Sequence, residues 1–228
     1  MMGAKETAVA LMLVAAGSRP GLATWNDVVE SYQRVRDYTT LYEKEERAIS
    51  NGERQTIRLS FRKPLDVRMD WLNDKGKVDQ AAVYRRGHNG DKIVARRSGI
   101  LGGLAGTVTL DPNDRMAMQD SRHPITEIGL GHIIDRIADG LRGGKLTAGP
   151  VREVPLDARP AYQFKFETSS GADVLGVAGA RRAIVWVDRE LKLPIRVDVL
   201  DAKDTLVEHH RFKELRINVG LTDDTFSL

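Results

Sequence analysis

Histidines and carboxylates are the residues of this chain best equipped for chemistry, and their spacing limits what that chemistry can be. Of the five histidines, His209 and His210 are adjacent in a stretch of strand-like alternation. Successive side chains there point to opposite faces, so the pair cannot chelate one ion together. His132 and Asp135 are three apart in a stretch of helical period and can share a face, and His123 precedes them. Convergence of His123, His132 and Asp135 would make a metal-dependent hydrolase site. The plainer reading, a solvated helix face plus a loop histidine, is preferred because nothing in the spacing brings all three together. Glu127, near His123, is a candidate general acid, but in the first turn of a helix its carboxylate complements the helix dipole anyway. No metal, no cofactor and no catalytic residue is therefore assigned, and the chain reads as a non-enzyme.

The familiar catalytic spacings are absent as well. There is no Gly-x-Ser-x-Gly, no His-Glu-x-x-His and no phosphate loop. Gly140 to Lys145 resembles a phosphate loop loosely, but Leu146 occupies the hydroxyl position, and the stretch reads better as a helix stop. Gly129-Leu130-Gly131 falls short of a dinucleotide fingerprint. The chain has no cysteine, which excludes disulfides, zinc–thiolate sites and thiol nucleophiles.

The elements that would position any site follow from periodicity. Lys5 and the unbroken apolar run from Ala8 to Ala16, then the break at Gly17-Ser18-Arg19-Pro20 and the small residues Gly21 and Ala23, have the layout of a secretory signal peptide cleaved after Ala23. The run is too short for the roughly 20 residues of a bilayer-spanning helix. The expected division is thus a leader over 1–23 and one exported domain over 24–228. Trp25, Val28, Val29, Tyr32 and Val35 recur at helical spacing, with Thr24 or Asn26 as cap. From Tyr38 the period changes to two. Ile57, Leu59 and Phe61 alternate with Arg58, Ser60 and Arg62, and Val67, Met69 and Trp71 alternate with Arg68 and Asp70. Turn signals at Ser50-Asn51-Gly52-Glu53, Asn73 to Gly76 and Gly87 to Asp91 separate these runs. Strands continue through Ala81–Tyr84, Ile93–Arg96 and Thr107–Leu110.

A second helix is predicted after Pro124, with Ile125, Ile128, Ile133, Ile134, Ile137, Ala138 and Leu141 on its apolar face and Gly143-Gly144 as its stop. Strands return at Tyr162–Phe166, Ala183–Val187, Ile195–Val199 and Thr205–Leu215.

Clean alternation without intervening helices means an antiparallel sheet, and a sheet of nine or more twisted strands must curl. The expected fold is α+β: a curled antiparallel sheet forming an unclosed half-barrel, with two main helices covering its concave face. The chain carries 35 basic and 32 acidic residues, interspersed rather than gathered in a stripe, which argues against nucleic-acid binding. Phe61, Met69, Trp71, Phe164, Phe166 and Trp186 lie at alternating strand positions. Ile133 and Ile137 come from the second helix. For any one of them ordinary core is the preferred reading; the alternative is that part of the set is the apolar lining of a ligand cavity, which the adaptability of Met and Phe would suit.

Three stretches carry a resemblance to a known family: Tyr38-Thr39-Thr40-Leu41-Tyr42-Glu43-Lys44-Glu45-Glu46, Arg62-Lys63-Pro64-Leu65-Asp66-Val67, and above all Arg122-His123-Pro124-Ile125-Thr126-Glu127-Ile128-Gly129. Together with Leu193-Pro194-Ile195-Arg196-Val197, they make the chain resemble an uncharacterised bacterial family associated with the periplasmic lipoprotein-carrier superfamily of the LolA/LolB type. The resemblance implies an unclosed barrel with helices over its concave face and a hydrophobic cavity for acyl chains, and it transfers no residue role. The function it implies is a periplasmic binding or carrier protein for lipids or lipid-modified proteins, with a lipid or a lipoprotein acyl chain as partner. The alternative is an envelope sensor or interaction module of the same fold, binding a protein partner through the convex face or the Gly99–Gly106 loop.

Overall fold

The structure, a computed structural model, describes residues 24–47, 49, 52–97, 106–157, 159–168, 171 and 173–228. The expected leader and its cleavage site, Asn51 of the expected hairpin and most of the Gly99–Gly106 connection lie outside the described residues.

The alternating segments become strands β1 (Asp37–Glu46), β2 (Gln55–Arg62), β3 (Asp66–Leu72), β4 (Val78–Arg85), β5 (Ile93–Arg97) and β6 (Thr107–Leu110). After an irregular stretch and a helix come β7 (Leu146–Ala148), β8 (Arg152–Leu156), β9 (Arg159–Thr168), β10 (Ala180–Asp188), β11 (Pro194–Asp201) and β12 (Leu206–Ile217). All pair antiparallel in one twelve-stranded sheet of order β6-β5-β4-β3-β2-β1-β12-β11-β10-β9-β7, with β8 also on β9. The chain walks outward from β1 to β6, crosses over, and walks inward from β7 to β12, so its first and last strands meet in the middle. The two ends of the sheet do not pair with each other among the described residues, leaving a curled sheet that is not closed into a barrel. β7 and β8, absent from the sequence reading, are a three-residue strand and a proline-bearing edge strand, neither long enough nor alternating enough to register as a period.

Register fixes which side chains share the concave face. Tyr38 stands opposite Phe61, Tyr42 opposite Ile57, and Ile57 opposite Trp71. On the other flank Tyr42 pairs with Phe212 and Lys44 with His210.

Helix α1 (Trp25–Gln33) starts at Thr24, whose hydroxyl accepts from the Asp27 amide while the Asp27 carboxylate accepts from the Thr24 amide at 2.6 Å. This reciprocal cap satisfies two otherwise free amides. Trp25, Val28 and Tyr32 are buried along one side. Val35, expected on the same helix, is buried just beyond its end.

Helix α2 (Leu130–Arg142) begins later than its apolar spacing suggested. Ile125–Glu127 instead form a separate 3-10 turn, and Gly129 breaks the path at φ 111°. The reason is close approach: a Cβ on Gly129 would lie 2.6 Å from Tyr38 Oη, and that hydroxyl accepts from the Leu130 amide at 3.0 Å. Gly131 meets the Tyr32 ring in the same way. The two glycines that failed as a nucleotide fingerprint thus let the helix start sit directly on two tyrosines.

The helices cover one part of the concave face. Trp25 packs edge-on against Phe164 and Phe166 at ring distances of 5.4 and 4.9 Å, and its indole N–H donates to the Ile134 carbonyl at 3.4 Å. Leu130, Ile134 and Ile137 are completely buried there. No helix among the described residues is long and apolar enough to cross a membrane.

Candidate functional site

Beyond the helices, over β2 to β6, the concave face is roofed, among the described residues, by the irregular segment between Leu110 and Ile128. A cavity of about 450 Å³ remains beneath it, within the roughly 300–1,000 Å³ range of small-molecule sites. Met69, Trp71, Ala82 and Ala95 form its floor, and Met116 and Ile125 contribute from the roof. The small floor residues make the space: Ala82 is paired with Met69 and Ala95 with Ala82, so two adjacent strands lack bulk where β2 and β3 carry Leu59 and Met69. The Trp71 indole N–H donates to Gln55 Oε1 at 3.3 Å. Polar groups reach the same space, among them Lys44 and Arg96.

Two of the lining residues, Lys44 and His123, belong to a network of buried charge beside the cavity. Lys44, Glu46, Glu208 and His210 all point inward from β1 and β12, and all are buried. Lys44 Nζ lies 3.4 Å from Glu46 Oε1 and donates to the Asp120 carbonyl at 3.1 Å. The Arg122 amide donates to Glu46 at 2.7 Å. Glu208 receives His210 Nε2 at 3.1 Å and His123 Nε2 at 3.3 Å. Arg122 Nε lies 2.7 Å from Glu208 Oε1 but at an angle that leaves both atoms without an aligned hydrogen bond, so this is a charge contact. Behind His210, Tyr42 Oη is 2.7 Å from Nδ1. The network ties residues 120–123 of the roof to the two central strands.

Its electrostatics follow from these contacts. Burial opposes charge on Glu208, but the hydrogen bonds from His123 and His210 outweigh it and hold the carboxyl far below the usual range. Burial likewise opposes protonation of His123, and the Glu208 carboxylate overcomes it, raising its pKa. Burial draws the Lys44 ammonium below its ordinary value despite Glu46. His132 has no such carboxylate hydrogen bond, and burial pushes it down to about 4.

The sequence-predicted residues fall into separate groups. Met69 and Trp71 line the cavity. Phe61, Phe164, Phe166 and Ile137 are buried in the core under the helices, with Ile133 partly buried against it. Trp186 faces the other side of the sheet, where the Arg196 guanidinium lies 4.4 Å from its ring centre; the inward residues of β10 are Ala183, Val185 and Val187. Of the candidate metal ligands, His123 and His132 come together with Glu127, while Asp135 is exposed and senses Lys63 and Asp139 instead. His209 and His210 diverge as strand alternation requires, His209 bonding Asp198 at 2.7 Å on the outer face. Missed entirely were Lys44, Glu46 and Glu208. Their signal was parity, since Lys44 and Glu46 share the inward register of Tyr38 and Tyr42.

A model of the family described as "Protein of unknown function (DUF1571)" matches residues 35–228. The chain belongs to that family. The match takes in the whole sheet, the roof and the buried charge network of this DUF1571 protein, and leaves α1 outside. Comparison with curated proteins finds no match. Among solved structures, the DUF1571 chain is similar to MucB, with a TM-score of 0.56 at 15% identity over 90% of this chain and 61% of that one. It is also similar to a chain of the Pseudomonas aeruginosa MucA/MucB complex (TM-score 0.51, 17% identity, 90% and 59% covered). A third similar structure is the Mycobacterium tuberculosis lipoprotein LppX (0.51, 10%, 86% and 94% covered). The DUF1571 chain therefore spans about three fifths of the length of the MucB chains and nearly all of LppX. At these identities the likeness is one of fold.

Proposed function

We propose that this DUF1571 protein is an exported binding or carrier protein that takes the apolar part of a lipid, or of a lipid-modified protein, into the cavity over β2 to β6. The observation carrying this reading is the cavity itself: an inward sheet face with no helix over it among the described residues, floored by Met69, Trp71 and two alanines. Affinity would come from burying chain methylenes, worth about 0.8 kcal/mol each. The polar part of the same lining, which includes Gln55, Asp79, Gln80 and Arg96, suits a polar headgroup. The fold shared with a lipoprotein, LppX, and the signal-like layout of residues 1–23 support a place outside the cytoplasm. No catalytic role is proposed.

Filling the floor tests this directly. Ala95→Trp should abolish uptake of a fluorescent fatty acid while leaving the circular dichroism spectrum unchanged; uptake equal to that of the unaltered protein would sink the reading.

A second reading rests on the solved complex of MucB, a protein of similar fold, with MucA: a protein partner in place of a free lipid. β6 pairs on one side only among the described residues, and Val108 on it is 47% exposed, so a partner segment could add there as a further strand. A stoichiometric envelope protein retained by Ala95→Trp would favour this reading.

A further inference from the structure

Where the roof segment meets α2, three side chains from three local structures converge. His123 comes from the loop before the 3-10 turn, Glu127 from that turn and His132 from the first turn of α2. One ligand atom from each lies within 4.8 Å of the others. Two edges of that triangle are His123 Nδ1 to Glu127 Oε2 at 3.6 Å and His132 Nε2 to the same oxygen at 3.5 Å. Ligand atoms about 2.0–2.1 Å from a tetrahedral zinc stand about 3.3–3.4 Å apart, so both edges need to close by only a few tenths of an ångström.

Two further observations point to a cation. His132 Nε2 is a buried ring nitrogen with no hydrogen-bond partner among the described residues, although it faces a carboxylate. Buried polar atoms are rarely left so, and a metal ion would take its lone pair. The second is the shell behind His123. If Nδ1 binds the ion, Nε2–H is free to donate to a carboxylate, and Glu208 Oε2 stands 3.3 Å away. Glu208 is 1% exposed and is itself held by His210, which is held by Tyr42. Metal-bound histidines nearly always have such a carboxylate or carbonyl behind them, fixing tautomer and orientation. The competing account assigns Glu127 to Arg136, whose Nη2 lies 3.6 Å from Oε2. That side chain is 44% exposed and can swing away, and it offers nothing to His132 Nε2.

We propose that His123, Glu127 and His132 form a binding site for one divalent transition-metal ion, with Glu208 orienting His123 from behind. Two nitrogens and one oxygen suit Zn²⁺ or Co²⁺ rather than Ca²⁺ or Mg²⁺, which take oxygen shells. Three protein ligands leave a coordination position for water or for a ligand group. The ion clasps the roof segment to α2 beside the cavity that His123 also lines, so binding would order the roof.

The test uses the full chain, stripped with a chelator and titrated with Zn²⁺ at neutral pH. One equivalent should bind, the Co²⁺ form should show the visible absorption of a low-symmetry site, and saturation with Zn²⁺ at 100 times its dissociation constant should raise the unfolding temperature by about 5–10 °C. His132→Ala should weaken binding at least about 100-fold while the metal-free circular dichroism stays unchanged. Glu127→Gln, at a half-exposed position, gives the same readout should the histidine variant fold poorly. Absence of stoichiometric Zn²⁺ and Co²⁺ uptake by the unaltered protein would overturn the proposal, and so would uptake undiminished in Glu127→Gln.

Discussion

The two flanks of the concave face are built from the same kind of strand, yet one is a core and the other a cavity. On the β9–β12 flank Phe164 and Phe166 are met by Trp25 from α1, and Val185, Val197 and, from α2, Ile134 and Ile137 belong to the same buried cluster, with nearly all of it removed from solvent. On the β2–β6 flank the inward row runs Met69, Ala82, Ala95, Val108, dropping to alanine on β4 and β5, and the cover is an irregular segment with no regular helix among the described residues. A helix brings a dense stripe of side chains at fixed spacing, and ridges of that kind fill a sheet face. A loop brings few, and its own backbone needs partners. The buried network of Lys44, Glu46, Arg122 and Glu208 supplies them where roof and central strands meet. What separates core from cavity in this fold is thus the cover, more than the sheet.

Truncations on the two flanks should separate them most sharply. Phe166→Ala removes a side chain clamped between strand and helix and should cost about 3–5 kcal/mol, with little change in fatty-acid affinity once allowance is made for unfolded protein. Met69→Ala enlarges an existing space, so the cost of a new void is reduced and the loss should sit near the bare transfer value, about 2 kcal/mol, while binding changes measurably. Urea denaturation of both variants reads this; equal destabilisation with equal effects on binding would erase the distinction.

Gly129→Ala probes the hinge between the two covers. It sets a Cβ against Tyr38 Oη at a backbone angle L-residues avoid, and should cost about 1–3 kcal/mol. The effect should appear as a lower denaturation midpoint, with a loosened start of α2 read by hydrogen exchange at Leu130.

The smallest effect belongs to the outer face, which neither cover touches. Asp198 accepts from His209 and from Arg196. Burial opposes its ionisation, but these bonds prevail and hold its pKa below the reference 3.8. A carboxylate so lowered contributes stability that is present above pH 3.8 and is lost as the pH falls through its folded value. Asp198→Asn should flatten the acid limb of the stability curve by that contribution and leave fatty-acid uptake at neutral pH untouched; an unchanged acid limb would assign Asp198 no part in acid stability.

The sheet was legible because one face is wet, so a period of two stands out from Ile57 through Trp71. α1 was legible from its spacing and its Thr24 cap. α2 was legible in its apolar face but not in its start, because the break at Gly129 is imposed by Tyr38, nearly a hundred residues earlier in the sequence and invisible to local period. Trp186 misled because both faces of β10 are apolar, Ile184 and Trp186 on one and Val185 and Val187 on the other, so alternation could not say which is inside. The cavity was illegible for a related reason: parity tells which side chains share a face, but not whether a helix or a loop lies over it. The cluster of His123, Glu127 and His132 was hidden by the assumption of a single helix from Ile125, which sends Glu127 and His132 to different sides.

The central claim, that the flank without a helix is a ligand site, is tested most directly by native mass spectrometry of the protein purified from a bacterial envelope without detergent exchange. The account predicts one bound lipid or acyl-bearing molecule per chain, lost in Ala95→Trp and retained in Asp198→Asn. Protein that carries no such molecule, and that takes none up when offered an envelope lipid extract, would contradict it.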